Sequence, residues 1–522
     1  MSSVFTTACR RAAGFVIAAC FGISPLSAES SRPNIVLIIA DDLGYSDAGC
    51  YGGEIPTPSL DRLADEGVRL ANFRNCGMCV ITRASAMTGQ WWPRGLREFR
   101  KTRLLPERLH DLGYRCGLIG KWHLDGDPMD RGFDHFFGFL GGFSDHFAGG
   151  KDYRLDREPF RVTDPDFYSS DAFTERALRF IAETKDRPFF LCLSYQAPHN
   201  PLQAPANDIA KHRGTYQKGW QAVREARFRK QKELGLFPNN QKLPAHPENL
   251  PAWDSLNPRQ RDLEDLRMAV YAAMVERMDR GIGRVVDALR DSNTLVVFLS
   301  DNGTDPFSKV DREMLRQGKL PGSRGSNWQP GTGWAYACVT PWRLYKISQH
   351  AGGTTTGAIA WWPGAVKQAG SIRHEMLHVA DLLPSFLDAA EGEAGESAGV
   401  SFLPLLRGGP WKREGPLCFQ YMDNRSIHTD EWSLAEVDGA GWELFDAAED
   451  PFQTNDLAAK RPEVVARLET QWTRWWKRES GKPVYQPKST ADGPHYEPQG
   501  DRGSGRRYHP TEMPEGLHDG SR

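Results

Sequence analysis

The 522-residue chain has no surplus of charge of either sign, with 65 Lys plus Arg against 67 Asp plus Glu. Such balance argues against nucleic acid as its main partner. Beyond its N-terminal segment there is no apolar run of the length a membrane crossing needs, so no membrane span is expected. There is no internal repeat. Cysteine is sparse. Of nine, Cys9 and Cys20 lie in the N-terminal segment, and the seven that remain are an odd number, which leaves at least one thiol unpaired in an exported protein. Cys116 and Cys192 lie in apolar, strand-like stretches and read as core residues.

What is present begins with Arg10-Arg11, an apolar stretch from Ala12 to Ile23, and Leu26-Ser27-Ala28 before polar Glu29. A basic start, a short apolar middle and a small residue at the cut make a secretory signal over residues 1–28, so the chain is expected to be exported, to a periplasm in a bacterium or to the medium. Ile17-Ala18-Ala19-Cys20 also fits a lipoprotein cut before a lipidated Cys20. The apolar run continues past Cys20, which favours cleavage at Ala28.

From Pro33 to about Ala390, strand-like runs (Cys116 to Ile119, Phe189 to Ser194, Leu295 to Leu299) alternate with helical patterns such as Thr57 to Glu66. The alternation predicts an α/β fold, a mostly parallel central sheet sandwiched by helices, over residues 32–392. At 522 residues more than one domain is expected. Residues 201–265 read as a polar insertion, with a charged surface helix from Lys218 to Leu234. The Gly- and Glu-rich stretch from Glu391 to Gly399 reads as a linker. Strand candidates Leu417 to Met422 and Trp432 to Val437, then a helix from Pro462 to Arg478, predict a small C-terminal antiparallel α+β subdomain over 400–480. Residues 481–522, rich in Gly, Pro and charge, read as a disordered tail.

Two apolar strands end in carboxylates. Ile35 to Ala40 runs into Asp41-Asp42, and Leu295 to Leu299 runs into Ser300-Asp301-Asn302-Gly303. Continuous β-branched runs suit strands buried on both faces, and the carboxyl ends of such strands line a ligand-binding rim. Asp41, Asp42, Asp301 and Asn302 would bring four oxygen donors to one edge. Hard oxygens favour calcium or magnesium over zinc.

Other loops add cations and imidazoles. Cys79 opens a helix-like run ended by Gly89, with Arg83 one turn along the same face. Lys121 and His123 follow the strand ending at Ile119, on the same side of an extended segment. His199 and Asn200 lie between Pro198 and Pro201 after the strand Phe189 to Ser194. Lys346 precedes Gly352-Gly353 and a strand candidate ending at Trp361-Trp362.

These segments, in this order from Pro33 almost to Trp476, resemble the sulfatase family, arylsulfatase type, of the alkaline-phosphatase superfamily. The match includes Trp334 to Cys338, His378-Val379-Ala380-Asp381 as a helix, Glu443 to Asp446 and Asp450-Pro451. The resemblance implies an alkaline-phosphatase-like fold and an exported sulfuric ester hydrolase. Asp41, Asp42, Asp301 and Asn302 would hold one divalent cation, calcium before magnesium. Cys79 would be converted by a maturation enzyme to formylglycine, whose hydrate contacts the metal and attacks sulfur. Arg83 would hold that hydrate, Lys121 and Lys346 would bind sulfate oxygens, His123 would assist the nucleophile and His199 would protonate the departing alcohol. Two positions depart from the family pattern. Ile81 stands where Pro or Ala is usual, and Ala351 where Glu is usual.

Two other readings stay open: a phosphate or phosphonate monoester hydrolase on the same fold, and a silent protein that binds sulfated glycans without converting Cys79. The substrate, a sulfated small molecule or glycan, is not specified. The segment from Gln90 to Arg103 carries four Arg and one Lys against Glu98 alone. It fits either a pocket extension with Trp91 or Trp92 stacking on sugars, or a solvated loop with both tryptophans packed beneath.

Overall fold

The computed structural model describes residues 32–483 apart from 185 and 309–311, together with Tyr485 and Thr511. The expected signal at 1–28 and nearly all of the expected tail lie outside the described residues. Among the described residues eleven strands form one sheet: β1 (Asn34–Asp41), β2 (Val68–Arg74), β3 (Arg115–Lys121), β4 (His135–Phe139), β5 (Tyr153–Leu155), β6 (Glu158–Pro159), β7 (Phe189–Pro198), β8 (Thr294–Ser300), β9 (Thr355–Trp361), β10 (Ser371–Arg373) and β11 (Leu377–His378). Their order is β10-β2-β9-β8-β1-β7-β3-β4-β5-β6, with β11 also on β2. The central block β8-β1-β7-β3-β4 is parallel throughout. β9 runs antiparallel to both β8 and β2, so β2 regains the direction of the block.

The β-branched runs explain why the middle of this sheet is dry. In β1, Val36, Ile38 and Ala40 join one buried cluster while Ile35, Leu37 and Ile39 join the other, as the two-residue period of a strand requires. The first cluster is closed by the long helix Pro258–Asp287, which starts on a capping box of Asn257 and Gln260, and by the helices Pro58–Glu66 and Ser169–Ala182. The second is closed by Cys79–Thr88, Leu105–Asp111 and Leu382–Ala389. Both faces are therefore covered by helices, as expected for a mostly parallel sheet.

The C-terminal part is a four-stranded antiparallel sheet, β12 (Leu417–Tyr421), β13 (Asn424–His428), β14 (Trp432–Glu436) and β15 (Glu443–Asp446), in that order. The helix Pro462–Ser480 lays Leu468, Trp472, Trp475 and Trp476 on it. β13 was not anticipated as a strand. Its sequence, Asn-Arg-Ser-Ile-His, has a single aliphatic residue, and pairing with β12 and β14 fixes it.

Three local expectations change. The helix at Gly219–Glu233 exposes Glu225, Arg229, Lys230 and Glu233 as a charged surface helix does, but its inner face buries two more charges, Arg224 and Arg227. Arg224 donates to the carbonyls of Tyr336, Pro341 and Trp342, and Arg227 to Asp47 (2.6 Å) and Glu54 (2.8 Å). Guanidinium groups go inside when their N–H groups find acceptors, as all three nitrogens of Arg227 do and both terminal nitrogens of Arg224 do, Arg224 Nε alone being left without one. The 391–399 stretch is pinned: Ala398 N–H donates to the Gly89 carbonyl (2.8 Å) and Val400 N–H to Asp381 Oδ1 (2.8 Å). Residues 378–381 are the end of β11 and a 3-10 turn, Val379–Asp381, leading into the helix that starts at Leu382. All seven cysteines among the described residues are unpaired and buried, Cys116 and Cys192 included. Among the described residues no helix is long and apolar enough to cross a membrane.

Candidate active site

Strand direction builds the site. β1, β2, β3, β7 and β8 all end at one rim, and β9, running the other way, begins there. The register of β1 on β8 pairs Ala40 with Ser300, so Asp41 and Asp301 emerge side by side. The register of β1 on β7 pairs Asp41 with Pro198, which brings His199 next to Asp42. β3 ends on Lys121, and the loop after β2 leads to Cys79 at the first position of its helix. Lys346 comes from the loop ahead of β9. That loop closes on the rim because it meets glycines: a β-carbon on Gly303 would stand 2.2 Å from the Gly352 carbonyl, and one on Gly352 would stand 1.9 Å from the Leu344 carbonyl.

The residues to which the family resemblance assigns metal, sulfate or proton-transfer roles meet here. Lys121 Nζ lies 2.6 Å from Asp41 Oδ2, and Lys346 Nζ lies 2.7 and 2.8 Å from the two Asp42 oxygens. Arg83 donates from Nε and Nη2 to Asp301 Oδ2 (3.1 and 2.8 Å) and from Nη1 to the Lys121 carbonyl (3.0 Å) and to Ser194 Oγ. Asn302 Nδ2 donates to Asp42 Oδ1 (2.5 Å). His199 Nε2 stands 3.6 Å from Asp42 Oδ2, while its Nδ1 donates to the Asn200 carbonyl (2.7 Å). A carbonyl can only accept, so the proton is on Nδ1 and the Nε2 lone pair faces the rim. His123 is not in an extended segment. Its backbone is left-handed (φ 55°), and its Nδ1 is buried with no hydrogen-bond partner.

Burial sets the protonation of these groups. It pushes His199 down to about 3 against the pull of Asp42, and His123 down to about 2 with help from Lys121 and Arg83. Both imidazoles are neutral near pH 7. Burial also raises Asp301 to about 6, with repulsion from Asp41 adding to it. It opposes ionisation of Asp42 too, but His199 and Lys346 outweigh it and hold that carboxyl at about 2. The Cys79 thiol is pushed up by burial, although Lys121 and Lys346 favour the thiolate.

The donor set fits a hard divalent cation. Oxygens or sulfur of Asp41, Cys79 and Asp301 lie within 4.8 Å of one another, as do ligand atoms of Asp41, Asp42 and His199. Asp41 Oδ1 and Asn302 Oδ1 are buried with no hydrogen-bond partner. Two orphaned oxygens in one rim are costly unless something accepts their lone pairs. The rim carboxylates raise one another or lean on lysines, a repulsion that a cation would relieve.

Sequence reasoning missed three neighbours of this rim. Ser194 takes the Arg83 fork, and a hydroxyl at the end of an apolar strand was its only signal. Asp305, buried and raised to about 7 by burial against the pull of Lys346, follows the acidic run too closely to be told from it. Phe143 lies on the loop after β4 and stacks on His199. The basic segment after Cys79, by contrast, is not part of the rim chemistry. Trp91 and Trp92 pack on the C-terminal cluster, and Arg94, Arg97, Arg100 and Arg103 pair with Glu479 and Glu396, Glu98, Asp125 and Asp111. Ile81 is buried in the second core cluster.

The fold is that of the alkaline-phosphatase superfamily. Residues 33–392 match the sulfatase family. The chain is 34% identical over 427 residues to an arylsulfatase of Klebsiella aerogenes (73% of this chain, 91% of the relative), and 32% identical over 523 residues to an uncharacterized sulfatase of Schizosaccharomyces pombe (85% and 93%). The crystal structure of Ps i-CgsB superposes with a TM-score of 0.65 at 24% identity (88% and 96%), which is a likeness of fold. The chain belongs to the sulfatase family and is an arylsulfatase-like sulfatase, an enzyme that hydrolyses sulfate esters.

Proposed function

We propose that this chain is exported and cleaves sulfate monoesters of aryl or carbohydrate alcohols, using formylglycine made from Cys79 by a maturation enzyme and one divalent cation, calcium rather than magnesium. The observation that carries the reading is the position of Cys79. It lies within 4.8 Å of the Asp41 and Asp301 carboxylate oxygens and within the field of Lys121 and Lys346. A thiolate there would be a poor ligand for a hard cation. Asp41, Asp42, Asp301, Asn302 and position 79 would hold the cation, and calcium tolerates such an irregular oxygen set better than magnesium does. When present, the hydrated aldehyde supplies the nucleophilic oxygen and the cation supplies charge stabilisation.

The chain's own side chains supply the rest. Arg83, fixed by Asp301, Ser194 and the Lys121 carbonyl, is held rigidly within the field of position 79, where it would hold the hydrate. Lys121 and Lys346 place two buried ammonium groups where nonbridging sulfate oxygens gather charge. His123, beside Lys121 and Arg83, would assist the nucleophile. His199 faces the leaving oxygen with Nε2, which must take up the proton it later gives; an anionic ester beside it favours the protonated form. Glycan substrates are supported by a structural relative, Ps i-CgsB, solved in complex with k-i-k-neocarrahexaose (TM-score 0.63).

The test is mass spectrometry of the Cys79 peptide from protein exported by its native host, beside turnover of sulfate esters. An aldehyde at position 79, and no sulfatase activity in Cys79→Ala, are the expected results. Native protein with only an alkylatable thiol and no turnover would refute the reading.

A further inference from the structure

Among the described residues Phe143 is the one aromatic side chain more than half exposed, at 54%. It is not a loose surface residue. Its ring lies parallel to that of His199, with centroids 6.1 Å apart and planes 19° from parallel. The loop that carries it leaves β4 at the catalytic rim and is pinned on both sides of Phe143. Gly141 N–H donates to Asp152 Oδ2 (2.7 Å), while Ser144 N–H donates to Gln196 Oε1 (3.1 Å) and its carbonyl accepts from Gln196 Nε2 (2.6 Å). Gln196 is buried in β7, shortly before His199. His146, on the same loop, donates from Nε2 to the His199 carbonyl (3.2 Å). At Gly142 the loop presses on the other imidazole, since a β-carbon there would stand 3.0 Å from His123 Nε2. Phe143 is therefore held rigidly beside the group that faces the leaving oxygen, with much of its ring open to solvent.

We propose that Phe143 is a specificity-determining residue, whose ring stacks on the face of a ring, aryl or pyranose, of the alcohol esterified to sulfate. This rests on the function proposed above, in which the leaving oxygen sits at His199. The exposed part of this ring adjoins the imidazole past which the alcohol would depart. A rigid aromatic surface loses little freedom on contact, and ring pairs favour such stacking. The contact exists in the bound ester and in its transition state alike, so it acts on binding rather than on the chemical step.

The test compares wild type, Phe143→Ala and Phe143→Tyr by calorimetric titration with benzenesulfonate, with a pyranose 6-sulfonate and with methanesulfonate, which can occupy only the anion clamp. KM and kcat for phenyl sulfate and for a monosaccharide sulfate are measured alongside. Phe143→Ala should weaken a ring-bearing ligand about threefold to tenfold, raise KM for the matching ester by a similar factor and leave kcat within about twofold. Methanesulfonate should bind all three proteins equally, and Phe143→Tyr should behave as wild type. Loss confined to the aryl ligands, or to the sugar ligands, supports the proposal and identifies the ring. Equal loss for ringed and ringless ligands would reduce Phe143 to a positioning residue for His199, and no loss with either ring would overturn the proposal. Absence of turnover in wild type would defeat the hydrolase reading, while the titrations would still decide the stacking.

Discussion

Arg83, Lys121 and Lys346 at the sheet rim carry the same charge as Arg97, Arg100 and Arg103 after the Cys79 helix, in opposite surroundings. The rim side chains are 3%, 0% and 5% exposed, and each faces a buried carboxylate. Arg100 and Arg103 are 82% and 57% exposed and pair with acids that are themselves in water. A buried cation is strongly coupled to whatever anion shares its site, whereas an exposed pair is screened and worth little. In the sequence the second group looks the more electropositive, because its charges are contiguous. The fold reverses that order by collecting scattered residues where solvent is excluded.

The sharpest test of this contrast is Arg83→Lys. Arg83 makes four hydrogen bonds from three nitrogens of a planar fork, which the three N–H of a single ammonium nitrogen cannot reproduce, so kcat/KM for any sulfate ester should fall by roughly a hundredfold to a thousandfold. A near-normal enzyme would place Arg83 with the surface arginines. A smaller effect concerns the cation. Calcium at about a hundred times its dissociation constant should stabilise the folded protein by about 2.7 kcal/mol, read as a rise in Tm, and Asp301→Ala should abolish the rise. If calcium raises Tm equally in Asp301→Ala and in Asp42→Ala, the rim is not the metal site.

Acid titration separates buried from exposed groups more gently. Burial lowers His199 to about 3, so between about 6.5 and 3 the unfolded chain binds a proton at this residue that the folded chain refuses. The stability that neutral His199 contributes is therefore present above about 6.5 and lost as pH falls through that window. His199→Gln should flatten the slope of stability against pH there by up to about 1.4 kcal/mol per pH unit, measured by urea unfolding at several pH values. An unchanged slope would mean that His199 titrates normally. The smallest effect belongs to the basic segment: Arg100→Ala should leave Tm and kcat/KM for a small sulfate ester unchanged within error. A clear loss of activity would return that segment to the site.

Much of the site was legible because it is local. Asp41-Asp42 and Asp301-Asn302 each close an apolar run, and a short, β-branched run without polar interruption reads as a strand covered on both faces. The α/β class, the C-terminal sheet with its tryptophan-bearing helix, and the family likeness all follow from such ordered segments. The terminal antiparallel strands were harder, because Asn424 to His428 has no apolar alternation and is a strand only when its neighbours pair with it.

What only the tertiary structure decided is relative position and burial. The register pairing Ala40 with Ser300 puts Asp41 against Asp301, and the reversed direction of β9 brings Lys346 to the rim that the parallel strands end on. Arg224 and Arg227 could not be placed inside from a charged helical pattern, since the carbonyls and carboxylates that satisfy them come from distant segments. Nor could Phe143 be set beside His199, because the link runs through Gln196 across the sheet edge. Side-chain type and spacing are properties of the chain. The dielectric around a charge and the partner it meets belong to the fold, and those two decide which arginine, lysine or histidine does chemistry.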